Sequence, residues 1–386
     1  MKLKLIENYG LHFIEKKNIL KKFFDLKQIT NGKYCSIFEK KISKIIGCKY
    51  TVVCNSGTSA LMMAILALKK KKIVAIVPNI NFVAIINILK FLNAEIILSD
   101  VNQMGMTDDL SLLRTISYCK KKKIKPNIFI PIHYAGFVNN LNKIRKICLE
   151  NNISLIDDGC HSFHSRYKDG SYVGNGKNSL MTTFSFHPVK NITTIEGGAV
   201  STNKKYLYDR LLFLRSFCLK KTSLNDPYEA EDFSLNFRMG EFNAILGLSQ
   251  LENIQKLKKK RIKLVSLYKK HFSVFGNAIK VLNTDGRNYF WHLLVIKLCP
   301  SLIQKKKIFM EFLKKKKIGC QIHYKPVNLH KKYIKIVKFD SLKESNKFYQ
   351  EQLSIPLHYQ MSEKHIIYIK KNILFFLKKN KLHKLI

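Results

Sequence analysis

Short β-branched runs and helical patterns alternate along the first half of the chain, and no other feature restricts the fold as much. Tyr50–Cys54, Ile73–Val77, Glu95–Leu98, Asn127–Ile132 and Ile153–Ile156 read as strands. Between them, Ser59–Leu68, Asn81–Leu92, Thr107–Lys120 and Leu141–Asn151 read as helices. A strand–helix–strand order forces parallel pairing, with the helices covering both faces of the sheet. Right-handed crossovers then set all the strand C-termini along one edge, where ligands bind. The expected fold class is α/β, with a mostly parallel, helix-covered sheet in a large domain and a smaller α+β domain at the C-terminal end.

Two domains are expected because 386 residues exceed what one core usually holds, ~250–300 residues. The expected division is 1–250 and 251–386. Between Lys168 and Thr202 the pattern changes to loops and short strands rich in Ser, Thr, Gly and His. A long helical segment follows Glu241 and runs to about His271. The smaller domain should contain strands Phe290–Leu298 and Gly319–Tyr324, and helices around Gln304–Lys316 and Leu342–Gln352.

No stretch reaches the ~18 uninterrupted apolar residues of a membrane helix. Met1 to Lys17 mixes Lys, Glu, Asn and His among its apolar residues, unlike a signal peptide. A soluble, cytoplasmic protein without a membrane partner is expected. The nine cysteines are odd in number and lack C-x-x-C spacing, which points to reduced thiols. The formal charge of +43 suggests a nucleic-acid binder at first sight. Its 69 basic residues, however, are 61 Lys and eight Arg, and the Lys runs are scattered. Lys serves here as the general solvated residue, so nucleic acid is not expected as a partner. A role in attracting anionic substrates fits better.

Four segments carry candidate chemistry. Asn55-Ser56-Gly57-Thr58-Ser59 opens a helix after a strand. Its free N–H groups and the helix dipole suit a phosphate, and an ordinary Ser/Thr cap suits the same residues. Asp157-Asp158-Gly159-Cys160-His161 ends a buried strand, where an acid forms a turn or serves a ligand. His161 and His164 are three apart but lack Glu or Cys at matching spacing, so no metal is expected. In Phe184-Ser185-Phe186-His187-Pro188-Val189-Lys190, a lysine follows an aromatic run and precedes Glu196-Gly197-Gly198. Apolar surroundings lower a lysine pKa, which a Schiff-base lysine needs. Asn236-Phe237-Arg238 enters a helix and, alone, is ordinary helix-start sequence.

Together and in this order, these segments resemble the sugar aminotransferases of the DegT, DnrJ, EryC and StrS group, in the fold-type I pyridoxal-phosphate class. The resemblance runs from Phe38-Glu39 to Leu353–Pro356 and includes Pro78–Ala84 and Gly319–Pro326. It implies pyridoxal 5'-phosphate as cofactor, with Lys190 as the Schiff-base lysine and Asp158 as the acid on the pyridine nitrogen. It also implies Gly57, Thr58 and Ser185 at the phosphate, Phe82 against the ring and His161 near the phenolic oxygen. Asn236 is expected to reach the phosphate of a neighbouring subunit in a homodimer with shared sites. His187, His323 and Tyr324 are substrate candidates. Within the family, Tyr134-Ala135-Gly136 and His323-Tyr324-Lys325-Pro326 are most similar to the aminotransferases of pseudaminic acid biosynthesis.

The implied reaction moves the amino group of L-glutamate to C4 of a nucleotide-linked 4-keto-6-deoxy sugar. Amination at C3, a dTDP- or GDP-linked sugar, and a non-catalytic regulator are the alternatives. Where the family commonly has Thr after Pro78, this chain has Asn81 and Ile85. A related subgroup replaces the lysine by His and dehydrates its substrate; the presence of Lys190 favours transamination.

Overall fold

The computed structural model describes residues 3–4, 16–220, 222, 228–282 and 288–382. Helices α1 (Lys16–Phe24) and α2 (Lys33–Ile46) precede the alternating region. Its strands are β1 (Tyr50–Cys54), β2 (Val74–Pro78), β3 (Glu95–Ser99), β4 (Ile128–Phe129), β5 (Ser154–Asp158), β6 (Met181–Ser185) and β7 (Gly198–Thr202). Its helices are α3 (Gly57–Ala67), α4 (Val83–Phe91), α5 (Asp109–Lys121), α6 (Leu141–Glu150) and α7 (Lys205–Arg215). A hairpin, β8 (Leu219–Lys220) and β9 (Glu229–Ala230), leads to α8 (Glu241–Glu252) and α9 (Ile254–Phe272). The rest contains β10 (Ile279–Val281), β11 (Leu294–Leu298), α10 (Pro300–Gln304), α11 (Lys306–Lys315), β12 (Val337–Lys338), α12 (Lys343–Glu351), β13 (Gln352–Ile355) and α13 (Glu363–Lys379).

The large sheet has the order β1-β7-β6-β5-β4-β2-β3-β12 and is parallel except for β7, which runs against both neighbours. Side chains alternate between its faces, as strand geometry requires. Val53, Ile76, Ile97 and Leu155 pack on one side with residues of α2, α5 and α6. Val52, Val77, Ile96 and Ile156 pack on the other with residues of α3, α4 and α7. The α/β architecture expected from the alternation is therefore present. A smaller antiparallel sheet, β10-β11-β13, packs with α9, α11 and α13 around a separate core containing Leu294, Ile296, Phe309 and Ile373.

Several local expectations differ from the structure; of the expected strand Asn127–Ile132, only Ile128–Phe129 is strand. The helical segment after Glu241 is two helices, separated at Asn253. Of Phe290–Leu298, only Leu294–Leu298 is strand. Gly319–Tyr324 is not a strand; only Gln321 makes an isolated bridge, to Ser354. The remainder of that segment is held sideways by side-chain bonds: Tyr134 Oη donates to the His323 carbonyl, and His323 Nδ1 lies 2.8 Å from Ser354 Oγ.

Glu241 ties the N-terminal helices to this frame. Its fully buried carboxylate accepts from the N–H groups of Gly32 (2.8 Å), Tyr34 (2.6 Å) and Cys35 (3.0 Å), the first turn of α2. Glu241→Ala leaves those donors without a partner at the positive end of a helix. The expected loss is about 3 kcal/mol or more of unfolding free energy, read from urea titration of the purified chain. A loss below ~1 kcal/mol would show that water replaces the carboxylate.

Candidate active site

The C-terminal ends of β1, β2, β5 and β6 meet where the smaller sheet leans over the large one. They enclose a cavity of about 330 Å³, of ligand-site size. Ser56–Thr58 follow β1, Phe82 follows β2, Asp158 ends β5, and Ser185 and Lys190 end and follow β6; all line the cavity. His292, Gln321, His323 and Tyr324 close it from the other side.

One corner suits a phosphate. Ser56 caps α3 by accepting from Ser59 N at 3.0 Å. The N–H groups of Gly57 and Thr58 take no acceptor among the described residues. A Cβ on Gly57 would fall 2.5 Å from Ser185 Cβ, so glycine lets the helix start this close to the end of β6. Two free donors, the positive helix end and the Ser185 hydroxyl form an anion cradle.

Asp158 and Lys190 share the floor. Strand alternation separates the two adjacent acids. Asp157 faces away from the cavity, with Oδ2 2.9 Å from His133 Nε2 and accepting from Tyr167 Oη at 3.3 Å. Asp158 lines the cavity and accepts from Cys160 N at 3.0 Å. Burial pushes the Asp158 carboxyl up, opposed by its contacts with Cys160 and by the charge of Lys190. Burial lowers the Lys190 pKa, and the charges of Cys160 and Asp158 partly offset this. Among the described residues, Lys190 is the one lysine lining the cavity, and its Nζ bonds to no protein group there.

The opposite wall carries three imidazoles, those of His161, His292 and His323. His161 Nδ1 accepts from Ala135 N at 3.3 Å, and its Nε2 lies 3.0 Å from Tyr324 Oη. His292 packs on His161 with ring centroids 4.3 Å apart. Burial holds both rings well below the usual histidine range, and brings His323 to about 4. Phe82 is 54% exposed and presents its ring to the cavity, 5.6 Å from the Tyr324 ring. His187 sits at the rim, 3.7 Å from Glu196.

All the sequence-derived candidates except Asn236 therefore meet at one cavity. Asn236 is not among its lining residues; its carbonyl accepts from Asn55 Nδ2 at 3.0 Å. Sequence reasoning missed His292, a polar residue within the apolar run Phe290–Leu298, and passed over Cys160 and Glu196 although both lay in quoted segments. The cradle, the buried acid, the desolvated amine and the exposed aromatic face fit the phosphate, ring nitrogen, aldehyde and ring of pyridoxal phosphate.

Residues 14–374 match the DegT/DnrJ/EryC1/StrS aminotransferase family. A UDP-4-amino-4,6-dideoxy-N-acetyl-beta-L-altrosamine transaminase of Campylobacter jejuni is 32% identical over 355 residues, 92% of each chain. A protein of the same name from Helicobacter pylori is 30% identical over 354 residues, 89% of this chain and 90% of that one. Among solved structures, Helicobacter pylori PseC, described as an aminotransferase involved in pseudoaminic acid biosynthesis, superposes with a TM-score of 0.88. It is 27% identical, with 98% of this chain and 100% of that chain covered.

Proposed function

The chain belongs to the DegT/DnrJ/EryC1/StrS aminotransferase family, a group of pyridoxal-phosphate-dependent sugar aminotransferases, and on that premise we propose that it aminates C4 of a UDP-linked 4-keto-6-deoxy-N-acetylhexosamine. The donor is L-glutamate. The acceptor is UDP-2-acetamido-2,6-dideoxy-beta-L-arabino-hex-4-ulose, in pseudaminic acid biosynthesis. The observation that carries the chemistry is the enclosure of one desolvated lysine, Lys190, with the buried Asp158 beside a helix N-terminus. The printed names of the Campylobacter and Helicobacter relatives support the choice of sugar.

Bound pyridoxal phosphate supplies an electron sink for the bonding pair at the substrate carbon. Lys190 is the residue that would hold it, and its desolvated amine would carry a proton to and from that carbon. Asp158 keeps a proton on the ring nitrogen; the positive charge there offsets the burial that otherwise raises this carboxyl. Gly57, Thr58 and Ser185 would bind the phosphate, Phe82 would pack against the ring, and His161 would stand beside the cofactor with both ring nitrogens engaged by Ala135 and Tyr324. A second copy of the chain completes the site with its Asn236. Exposed Phe217, Leu219, Tyr228, Phe233 and Leu235, around the β8–β9 hairpin next to Asn236, supply apolar surface for that contact. We place the reaction in the cytoplasm, where the nine unpaired cysteines stay reduced.

A panel of UDP-, dTDP- and GDP-linked keto-sugars, with glutamate as donor and mass and NMR analysis of the products, tests the substrate. The UDP-linked 4-keto sugar should turn over fastest and carry its new amine at C4. Amination at C3, or a preference of ~10-fold or more for another nucleotide, about 1.4 kcal/mol in transition-state binding, would overturn the assignment.

A further inference from the structure

Resting on that functional reading, we propose that Ala135, His161 and Tyr324 form a tautomer-setting relay that makes Tyr324 a hydrogen-bond donor to the carbonyl oxygen of the keto substrate. The relay starts at a strained backbone. Ala135 sits at φ +57°, a left-handed conformation that is unfavourable for an L-residue. The conformation is held because the Ala135 carbonyl accepts from His292 N (3.0 Å) and Leu293 N (3.3 Å), while its own N–H points at His161 Nδ1 (3.3 Å). An N–H donor at Nδ1 requires a lone pair there. A neutral His161 must then carry its proton on Nε2.

The surroundings keep the ring neutral. His161 is 2% exposed, Lys190 and His323 contribute only positive charge toward it, and His292 covers its face. Nε2–H therefore donates to Tyr324 Oη across the 3.0 Å contact. With that lone pair engaged, the Tyr324 O–H proton turns away from His161. Tyr324 lines the same cavity as Lys190, so the hydroxyl turns its proton into the space where substrate would sit. Burial, aided by the charges of Asp158 and Cys160, pushes the phenol far above its ordinary range. It stays protonated and acts as a fixed dipole, aimed at the oxygen on which negative charge builds as the carbonyl carbon gains nitrogen. The opposite tautomer would clash with Ala135 N–H and turn Tyr324 into a donor to His161, leaving the substrate oxygen without this partner.

Two measurements on the full chain test this. Histidine labelled with ¹⁵N reports the proton position on each ring nitrogen; the His161 signals are assigned by their loss in His161→Gln. Near neutral pH, Nε2 should be protonated and Nδ1 bare, with no substrate or turnover needed. Tyr324→Phe keeps the ring packed on Phe82 and removes only the hydroxyl. Cofactor uptake, followed by absorbance, should be unchanged while kcat with the keto-sugar falls about 10²-fold. An Nδ1-protonated His161, or turnover by Tyr324→Phe within ~3-fold of the parent, overturns the relay alone. If no keto-sugar is aminated by the parent chain, the functional reading fails, and the nitrogen shifts still decide the tautomer.

Discussion

Lys190→Ala should reduce turnover by at least ~10⁴-fold, the upper range for loss of a positioned acid–base group, with covalent capture lost in addition. Borohydride treatment of the wild-type holoenzyme should fix the cofactor on the peptide containing Lys190. The alanine chain should release all its cofactor on denaturation. Geometry rather than abundance makes this prediction specific. Of 61 lysines, Lys190 alone lines the cavity, among the described residues. It sits in the turn after β6, with Lys190 N donating to the His187 carbonyl at 2.9 Å, so the backbone there is held. Burial lowers its pKa and makes the free amine more accessible than on a surface lysine. The substitution removes a side chain from a cavity wall without taking a hydrogen bond from the described protein, so the fold should persist. Circular dichroism and thermal unfolding like the parent's would show that chemistry, not folding, was lost. Borohydride labelling of a different lysine, or turnover within ~10-fold of the parent, would overturn the assignment of Lys190.

Much of this site was legible in the sequence because its parts are local. Gly57 and Thr58, Asp158 and His161, and Ser185 and Lys190 each belong to one strand end and the turn after it. The strand–helix alternation already placed those ends on a single edge. In the sequence, Asp158 was distinguished from Asp157 by resemblance and by its spacing of three from His161; the structure supplies the physical reason, since alternate residues of β5 face opposite ways. Long-range features were not legible. His292 reaches the cavity because its backbone N–H bonds to Ala135, 157 positions away in sequence, and nothing in Trp291-His292-Leu293 announces that pairing. Gly319–Tyr324 has strand-like composition, and the bonds of the His323 ring to Ser354 and of the His323 carbonyl to the Tyr134 hydroxyl override that preference. α13 escaped notice although Ile366, Ile369, Ile373 and Phe376 repeat at helical spacing, because Ile367, Tyr368, Leu374 and Phe375 between them blur the apolar stripe. Asn236 remains outside the cavity of its own chain. The role proposed for it, at the phosphate of a second copy, would leave no sign in single-chain geometry.

Acidification from pH 6.5 to 5.5 should destabilise the cofactor-free protein by about 5 kcal/mol, a large part of the ~5–15 kcal/mol that holds a typical domain. Five histidines carry the effect. His161, His164, His292, His323 and His358 are all at least nine-tenths buried. Burial lowers His164 to about 3 and His323 and His358 to about 4, and His161 and His292 lie well below 6.5. The sign follows from proton counting. Below pH ~6.5 the unfolded chain protonates these rings while the folded chain does not, so stability is present above that value and is lost as pH falls. Each ring contributes about 1 kcal/mol over that first unit, and more below it until its folded pKa is reached. Glu39 and Asp158 work in the opposite direction, because burial raises both and the folded chain binds their protons first. They offset part of the loss only as pH approaches the carboxylate range. The formal charge of +43 makes self-repulsion a competing cause, and salt separates the two. Repulsion among surface lysines is screened at high ionic strength, whereas desolvation of a buried imidazole is not. Thermal unfolding at both pH values, at low and high salt, should show the same downward shift in Tm on acidification. A shift that disappears in high salt would assign acid lability to the lysine surface, and an unchanged Tm would mean that the histidines are protonated in the folded state.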